Sequence, residues 1–152
     1  MTGTKRTRLD RLRPLMRIAT RLEVWQVRWL GVSGVSISRG NDVLVLETTG
    51  RRTGRRRRAV VSYLSHDGAF VIGGGAGGMT KVDWVANLRA NRDVAVWVKR
   101  RRIPVRADEV TGAEEADVRA MAFRRWPYAP RYEEISGRRI PYFRLVPIDS
   151  SE

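Results

Sequence analysis

Cysteine is absent from the 152 residues, and histidine occurs once. Without thiols there is no disulfide, iron–sulfur cluster, thiolate zinc site or cysteine nucleophile. His66 sits in YLSHDGAFV beside Asp67-Gly68, a hairpin signal. It reads as a turn residue, which leaves no basis for a histidine triad or a histidine metal cluster. No run approaches the roughly 18 apolar residues of a membrane span. The basic N-terminus lacks the apolar centre of a secretory signal, so the expected location is the cytoplasm. Acidic residues are few beside the basic ones: 16 Asp and Glu against 30 Lys and Arg, a formal charge of +14. That excess attracts anions and polyanions and says nothing about fold. An apolar fraction of 42% over this length fits one folded domain.

Met1–Thr7 reads as a flexible tail. Residues 8–30 read as a basic amphipathic helix, with Leu15, Ile18, Leu22, Trp25 and Trp29 on one face and Arg11, Arg17, Arg21 and Arg28 elsewhere. Two readings stay open: a helix packed on the domain, or a helix adsorbed to an anionic membrane. Residues 31–148 then form the main domain. DVLVLETT, AVVSYL, AFVIGG, DVAVWVK, IPVRADEV and RIPYFRLVPI have strand patterning, and KRRR reads as a charged turn. TKVDWVANLRAN and TGAEEADVRAMAFRRW read as helices, with Thr80/Asp83 and Thr111/Glu114 as capping pairs and Asn91 as a stop. WPYAPRYEEISG reads as irregular or partly helical. About six mostly antiparallel strands with three helices predict an α+β fold built on a small β-barrel.

ETTGRRTGRRRRAVVSY concentrates six arginines between Gly50 and Arg58. Glycines let a backbone approach a bound group, and guanidinium forks grip phosphate or carboxylate bidentately. A solvated basic face and a nucleic-acid patch are the rival readings of this stretch alone. A second glycine-rich loop, GGGAGGMTK, leads into a helix, the setting of an anion or ring-stacking site. It is neither a nucleotide-triphosphate loop nor a dinucleotide fingerprint. Trp84 on that helix reads as core packing or as a stacking residue.

TTGRRTGRRRRAVVSYL, DWVANLRANRDVAVWV and RIPYFRLVPI, in that order, resemble the deazaflavin-dependent nitroreductase family over roughly residues 40–148. The resemblance implies a split β-barrel of the FMN-binding kind and a coenzyme, reduced F-420, which is an 8-hydroxy-5-deazaflavin with a phosphodiester and a glutamyl tail found in actinobacteria and archaea. It places Arg51, Arg52, Thr53 and Arg57 on the loop motif. Arg58, Ala59, Val60, Val61 and Ser62 fall on a strand facing the coenzyme, and Gly73, Gly74, Gly75 and Ala76 lie along its ring. Asp83, Trp84 and Asn87 close the other side. Tyr132 falls on a catalytic, pocket-lining tyrosine, with Trp126 and Ala129 completing the substrate pocket. Arg55 and Arg56 hold variable positions of the motif. Arg92 stands where the family has proline, Trp126 where tyrosine is common, and Ala129 where some members carry a pocket tyrosine.

The implied activity is hydride transfer to a quinone, nitroaromatic or activated enone, with Tyr132 or water supplying the proton and no metal taking part. The implied partner is a small-molecule acceptor, not nucleic acid; peripheral contact of residues 8–30 with the inner face of the cell membrane is one of the two readings the helix pattern leaves open. The rival classes are a nucleic-acid-binding basic protein, which lacks any RNP, KH or helix-turn-helix signature, and a split-barrel protein using FMN.

Overall fold

The computed structural model describes residues 13–30, 41–75 and 82–148. The expected tail Met1–Thr7, the start of the predicted first helix, and Ala76 and Thr80 lie outside the described residues. The elements run α1 (Arg13–Leu30), β1 (Val43–Thr49), β2 (Arg56–His66), β3 (Ala69–Gly73), α2 (Asp83–Ala90), β4 (Asp93–Val98), β5 (Arg101–Glu109), α3 (Ala113–Arg125), α4 (Ala129–Ser136) and β6 (Tyr142–Pro147).

The six strands close into an antiparallel barrel in the order β1-β2-β3-β6-β5-β4. Two tight hairpins fix its register. Asp67 and Gly68 both have positive φ between β2 and β3, and Lys99 and Arg100 do the same between β4 and β5. Such mirror-image turns match the right-handed twist of the flanking strands. Alternation along the strands sends Leu44, Leu46, Val61, Tyr63, Ile72, Val96, Val105, Phe143 and Leu145 inward, and Val85 and Leu88 of α2 pack with them. A second apolar cluster forms where α3 and α4 cover the barrel, around Leu64, Val71, Val118, Ala122, Trp126 and Tyr142.

Several expectations need correction. Four helices are present among the described residues, because the WPYAPRYEEISG segment supplies α4. The arginines from Arg56 onward belong to β2, where Thr49 and Thr48 of β1 pair with Arg56 and Arg57. β5 likewise begins at Arg101, inside the expected turn. The Thr111/Glu114 capping pair is not formed as expected, and Thr80 of the other pair lies outside the described residues. α2 starts after Val82, which leaves Asp83 in the first turn instead of three residues in. α3 follows Gly112, whose φ is +68, and Glu114 is drawn to Arg144 of β6. Asn91 does end α2.

α1 packs on the outer wall of the barrel through Val27, which is fully buried, and through Arg28, whose guanidinium lies 4.4 Å from the centre of the Trp97 ring. Its apolar stripe faces away from the barrel: Leu15, Ile18, Leu22, Trp25 and Trp29 are each more than half exposed.

Candidate functional site

The arginine loop closes on itself. Gly50 N–H donates to the Arg55 carbonyl at 2.7 Å, and Gly54 N–H donates to the Gly50 carbonyl at 2.8 Å. Gly54 has φ +68, in the region glycine tolerates best. A Cβ at residue 50 would stand 2.8 Å from Thr53 Oγ1, the atom that accepts the Arg55 amide. Thr53 is therefore used inside the turn.

Asn87 fastens this loop to α2. Its Oδ1 accepts from Arg51 N at 3.2 Å and from Arg51 Nη1 at 3.1 Å, and its Nδ2 donates to Thr48 Oγ1 at 3.4 Å. Asn87 and Thr48 are both buried. Asp83 adds an ion pair to Arg51 at 3.8 Å. The loop motif and the helix motif, read separately in the sequence, are thus two halves of one clamp.

Glu47 accounts for further arginines. It is buried on the outer wall, accepts from Trp97 Nε1, and pairs with Arg58 at 3.4 Å, Arg102 at 3.4 Å and Arg56 at 3.7 Å. Burial pushes its carboxyl up, but the bonds from Trp97 and Arg58 and the charges of Arg102 and Arg58 outweigh this and hold it below its ordinary value of 4.5. That leaves Arg52, Arg55 and Arg57, whose side chains are exposed and enter no hydrogen bond or ion pair among the described residues.

Beside these lies a strand edge that no described strand covers. β2 pairs with β1 from Arg56 to Ser62, whereas β3 meets β2 only at Tyr63–His66. Tyr63 N–H donates to the Asp42 carbonyl, so strand alternation aims the amides of Arg58, Val60 and Ser62 at the open edge. Ala59 and Val61 turn their side chains into the barrel.

The glycines after β3 are explained by close packing. A Cβ at Gly73 would be 2.7 Å from the Tyr142 ring, at Gly74 2.7 Å from Val85, and at Gly75 3.3 Å from the Tyr132 ring. Arg138 Nη2 donates to the Gly74 carbonyl at 2.5 Å. Burial, followed by the neighbouring charge of Arg89, pulls the Arg138 guanidinium below its ordinary value against the opposing pull of Glu133. Trp84 is half-buried, edge-on to Phe143.

On the far side, Trp126 and Ala129 are buried in the cluster under α3 and α4 and do not line an open surface. Tyr132 is half-buried, with its ring centre 5.2 Å from that of Tyr128. Tyr142 is buried, and burial pushes its hydroxyl up to about 12, so it stays neutral across ordinary pH. The sequence reading missed Asn41, Glu47, Tyr128 and Arg138. Only Tyr128 carried a signal, as part of the aromatic run WPY.

Among the described residues the arrangement therefore offers three unengaged guanidiniums, a row of strand amides that no strand takes up, and a tyrosine pair beside close-packed glycines. The profile described as F420H(2)-dependent quinone reductase matches residues 19–147. The chain belongs to this family. It is a deazaflavin-dependent oxidoreductase, and the family's cofactor is coenzyme F-420. A solved F420-H2 dependent reductase is 26% identical, with a TM-score of 0.60 over 68% of this chain and 92% of that one. A structure described as a domain-swapped dimer is 24% identical, with a TM-score of 0.62 over 91% and 99%. The heme storage protein HutZ of Vibrio cholerae, at 16% identity and a TM-score of 0.54 over 76% and 89%, shares the fold alone. The split-barrel expectation therefore holds for this F-420-dependent enzyme.

Proposed function

We propose that this enzyme reduces quinone-type acceptors with reduced F-420, bound along the open β2 edge with its anionic tail on Arg52, Arg55 and Arg57. The donor chemistry fits that coenzyme. Its phosphodiester and glutamyl carboxylates need several guanidiniums not already neutralised, and these three are the ones Glu47 and Asn87 leave unengaged. That selection of arginines is the observation that carries the reading. The bound coenzyme supplies a hydride, and no metal is involved.

The chain's own residues orient and screen. Asn87 and Asp83 hold Arg51 so that the loop keeps its shape. The amides of Arg58, Val60 and Ser62 give polar edges of the ring hydrogen-bonding partners. Gly73 to Gly75 bring the backbone into close packing with Tyr142, Val85 and Tyr132, the last lying against Gly75. The Tyr132 hydroxyl is the proposed proton donor to the reduced acceptor, aided by the position of its ring against Tyr128. Trp126 and Ala129 act from beneath, by setting how α4 sits.

The exposed stripe of α1 completes the reading. Leu15, Ile18, Leu22, Trp25 and Trp29 share a helix with Arg17 and Arg21, and residues 1–30 carry a net charge of +6 from eight basic and two acidic residues. This face suits an anionic lipid surface on the inner side of the membrane, where lipid-soluble quinones are held. No described helix is long and apolar enough to cross a membrane. The test of the activity is oxidation of the reduced coenzyme, followed by its absorbance, on adding a quinone. No oxidation above the uncatalysed rate would overturn the proposal.

A further inference from the structure

We infer that Asn41 is a positioning residue for the acceptor side of the site and acts through the Tyr128 hydroxyl. The inference rests on the reading that the acceptor is reduced beside Gly75 and Tyr132. Asn41 lies just before β1 and is 8% exposed. A carboxamide so buried needs partners for its donors. Its Nδ2 stands 2.6 Å from Tyr128 Oη and 3.5 Å from Ser62 Oγ. One side chain thereby ties the approach to β1, the uncovered part of β2 and the start of α4.

The tie matters because it adds a polar anchor at the start of a short helix. The helix has eight residues, and its N-cap, Tyr128, makes no side-chain capping bond. Glu133 anchors its middle to α3 and to the segment before β6: it pairs with Arg119, and its Oε2 accepts Ile140 N–H at 3.1 Å. On the side toward the β2 edge, Asn41 donates to the hydroxyl of the helix's N-cap residue, Tyr128. Tyr128 carries that restraint to Tyr132 through ring contact at 5.2 Å, and Tyr132 rests against the Gly75 backbone. Loosening Asn41 frees the tyrosine pair to shift against the Gly75 backbone. The arginine loop, held separately by Asn87, is left in place.

The experiment is a double-mutant cycle of Asn41→Ala and Tyr128→Phe. It measures affinity for the coenzyme, and kcat and KM for a quinone and a nitroaromatic acceptor, in the same preparations. Each single change is expected to lower acceptor kcat/KM about three- to tenfold, the effect of one neutral hydrogen bond, with coenzyme affinity kept within about twofold. The double variant should be no worse than the poorer single one, because both remove the same bond. Losses that multiply, or coenzyme affinity falling in step with acceptor kcat/KM, would overturn the inference. Should Asn41→Ala fold poorly, Asn41→Leu keeps the size and removes both polar atoms, and the same coupling to Tyr128→Phe is expected. A wild type that turns over the nitroaromatic but not the quinone would overturn the quinone reading and leave the Asn41–Tyr128 coupling fully readable.

Discussion

Asn87→Ala separates a clamp from a ligand contact. In the wild type Asn87 Oδ1 accepts from the Arg51 amide and guanidinium, and its Nδ2 donates to the Thr48 hydroxyl. A neutral hydrogen bond contributes about 0.5–1.5 kcal/mol and one to a charged group about 1.5–3. Because the charged bond reaches an exposed loop, about 3 kcal/mol in all is a fair figure for the three. At about 2–4 °C per kcal/mol for a chain of this size, the melting temperature should drop roughly 6–12 °C. Affinity for F-420 should fall as well, since the loop loses its shape. Asn87→Asp is the control. It keeps the acceptor for Arg51, and the Thr48 hydroxyl can turn to donate to the new carboxylate. Both stability and affinity should then return close to wild type. Thermal unfolding and a coenzyme titration on the three proteins decide the matter. If Asn87→Ala melts like wild type yet loses coenzyme, Asn87 touches the ligand directly and the clamp is refuted.

Arg52→Ala, Arg55→Ala and Arg57→Ala should each weaken coenzyme binding about tenfold, the lower end for a charge-assisted contact on an exposed loop. Arg56→Ala, whose charge is already met by Glu47, should change affinity by less than about twofold, and equal losses at all four would mean a diffuse electrostatic patch. Glu47 has a lowered folded value, so its stabilising effect is present above its ordinary 4.5 and is lost as pH falls through the lower folded value. Glu47→Gln should therefore be less stable than wild type at neutral pH, with the gap narrowing below about pH 4.5, and a gap independent of pH would sink this account of Glu47. Trp25→Ala with Trp29→Ala should abolish co-sedimentation with anionic vesicles while leaving turnover of a water-soluble quinone unchanged. Equal binding of the wild type to neutral vesicles would return α1 to a non-lipid role.

Much of the barrel was legible because alternation is a local signal: VLVLETT, VAVWV and AFVIG each announce a two-sided strand, and Asp67-Gly68 announces its turn. The arginines misled at both ends. Arg56 and Arg57 look like loop, yet they belong to β2 ahead of Arg58, where pairing with Thr49 and Thr48 extends the strand and Glu47 offsets the charges of Arg56 and Arg58. The caps were misread because Thr111 and Glu114 match a local pattern, while Gly112 at positive φ and Arg144 on a distant strand decide the outcome. On α1 the period was right and the direction was not legible. A stripe of Leu, Ile and Trp fits burial or exposure equally well until a partner surface is known. The site shows the same division. Motif spacing brought Arg51 and Asn87 to attention together, but only the folded chain shows that they bind each other. Asn41 has no sequence signal, since its partners lie 21 and 87 residues away.

The central claim is that the unengaged arginines choose this coenzyme by its anionic tail. The direct measurement compares the affinity of the wild-type protein for intact F-420 with its affinity for the same deazaflavin lacking the phosphate and glutamates. Three charge-assisted contacts of about tenfold each predict that the intact coenzyme binds roughly 1,000-fold tighter, and that replacing Arg52, Arg55 and Arg57 together by alanine removes most of that difference. Equal affinity for the two molecules, or an advantage that survives the triple replacement, would contradict it.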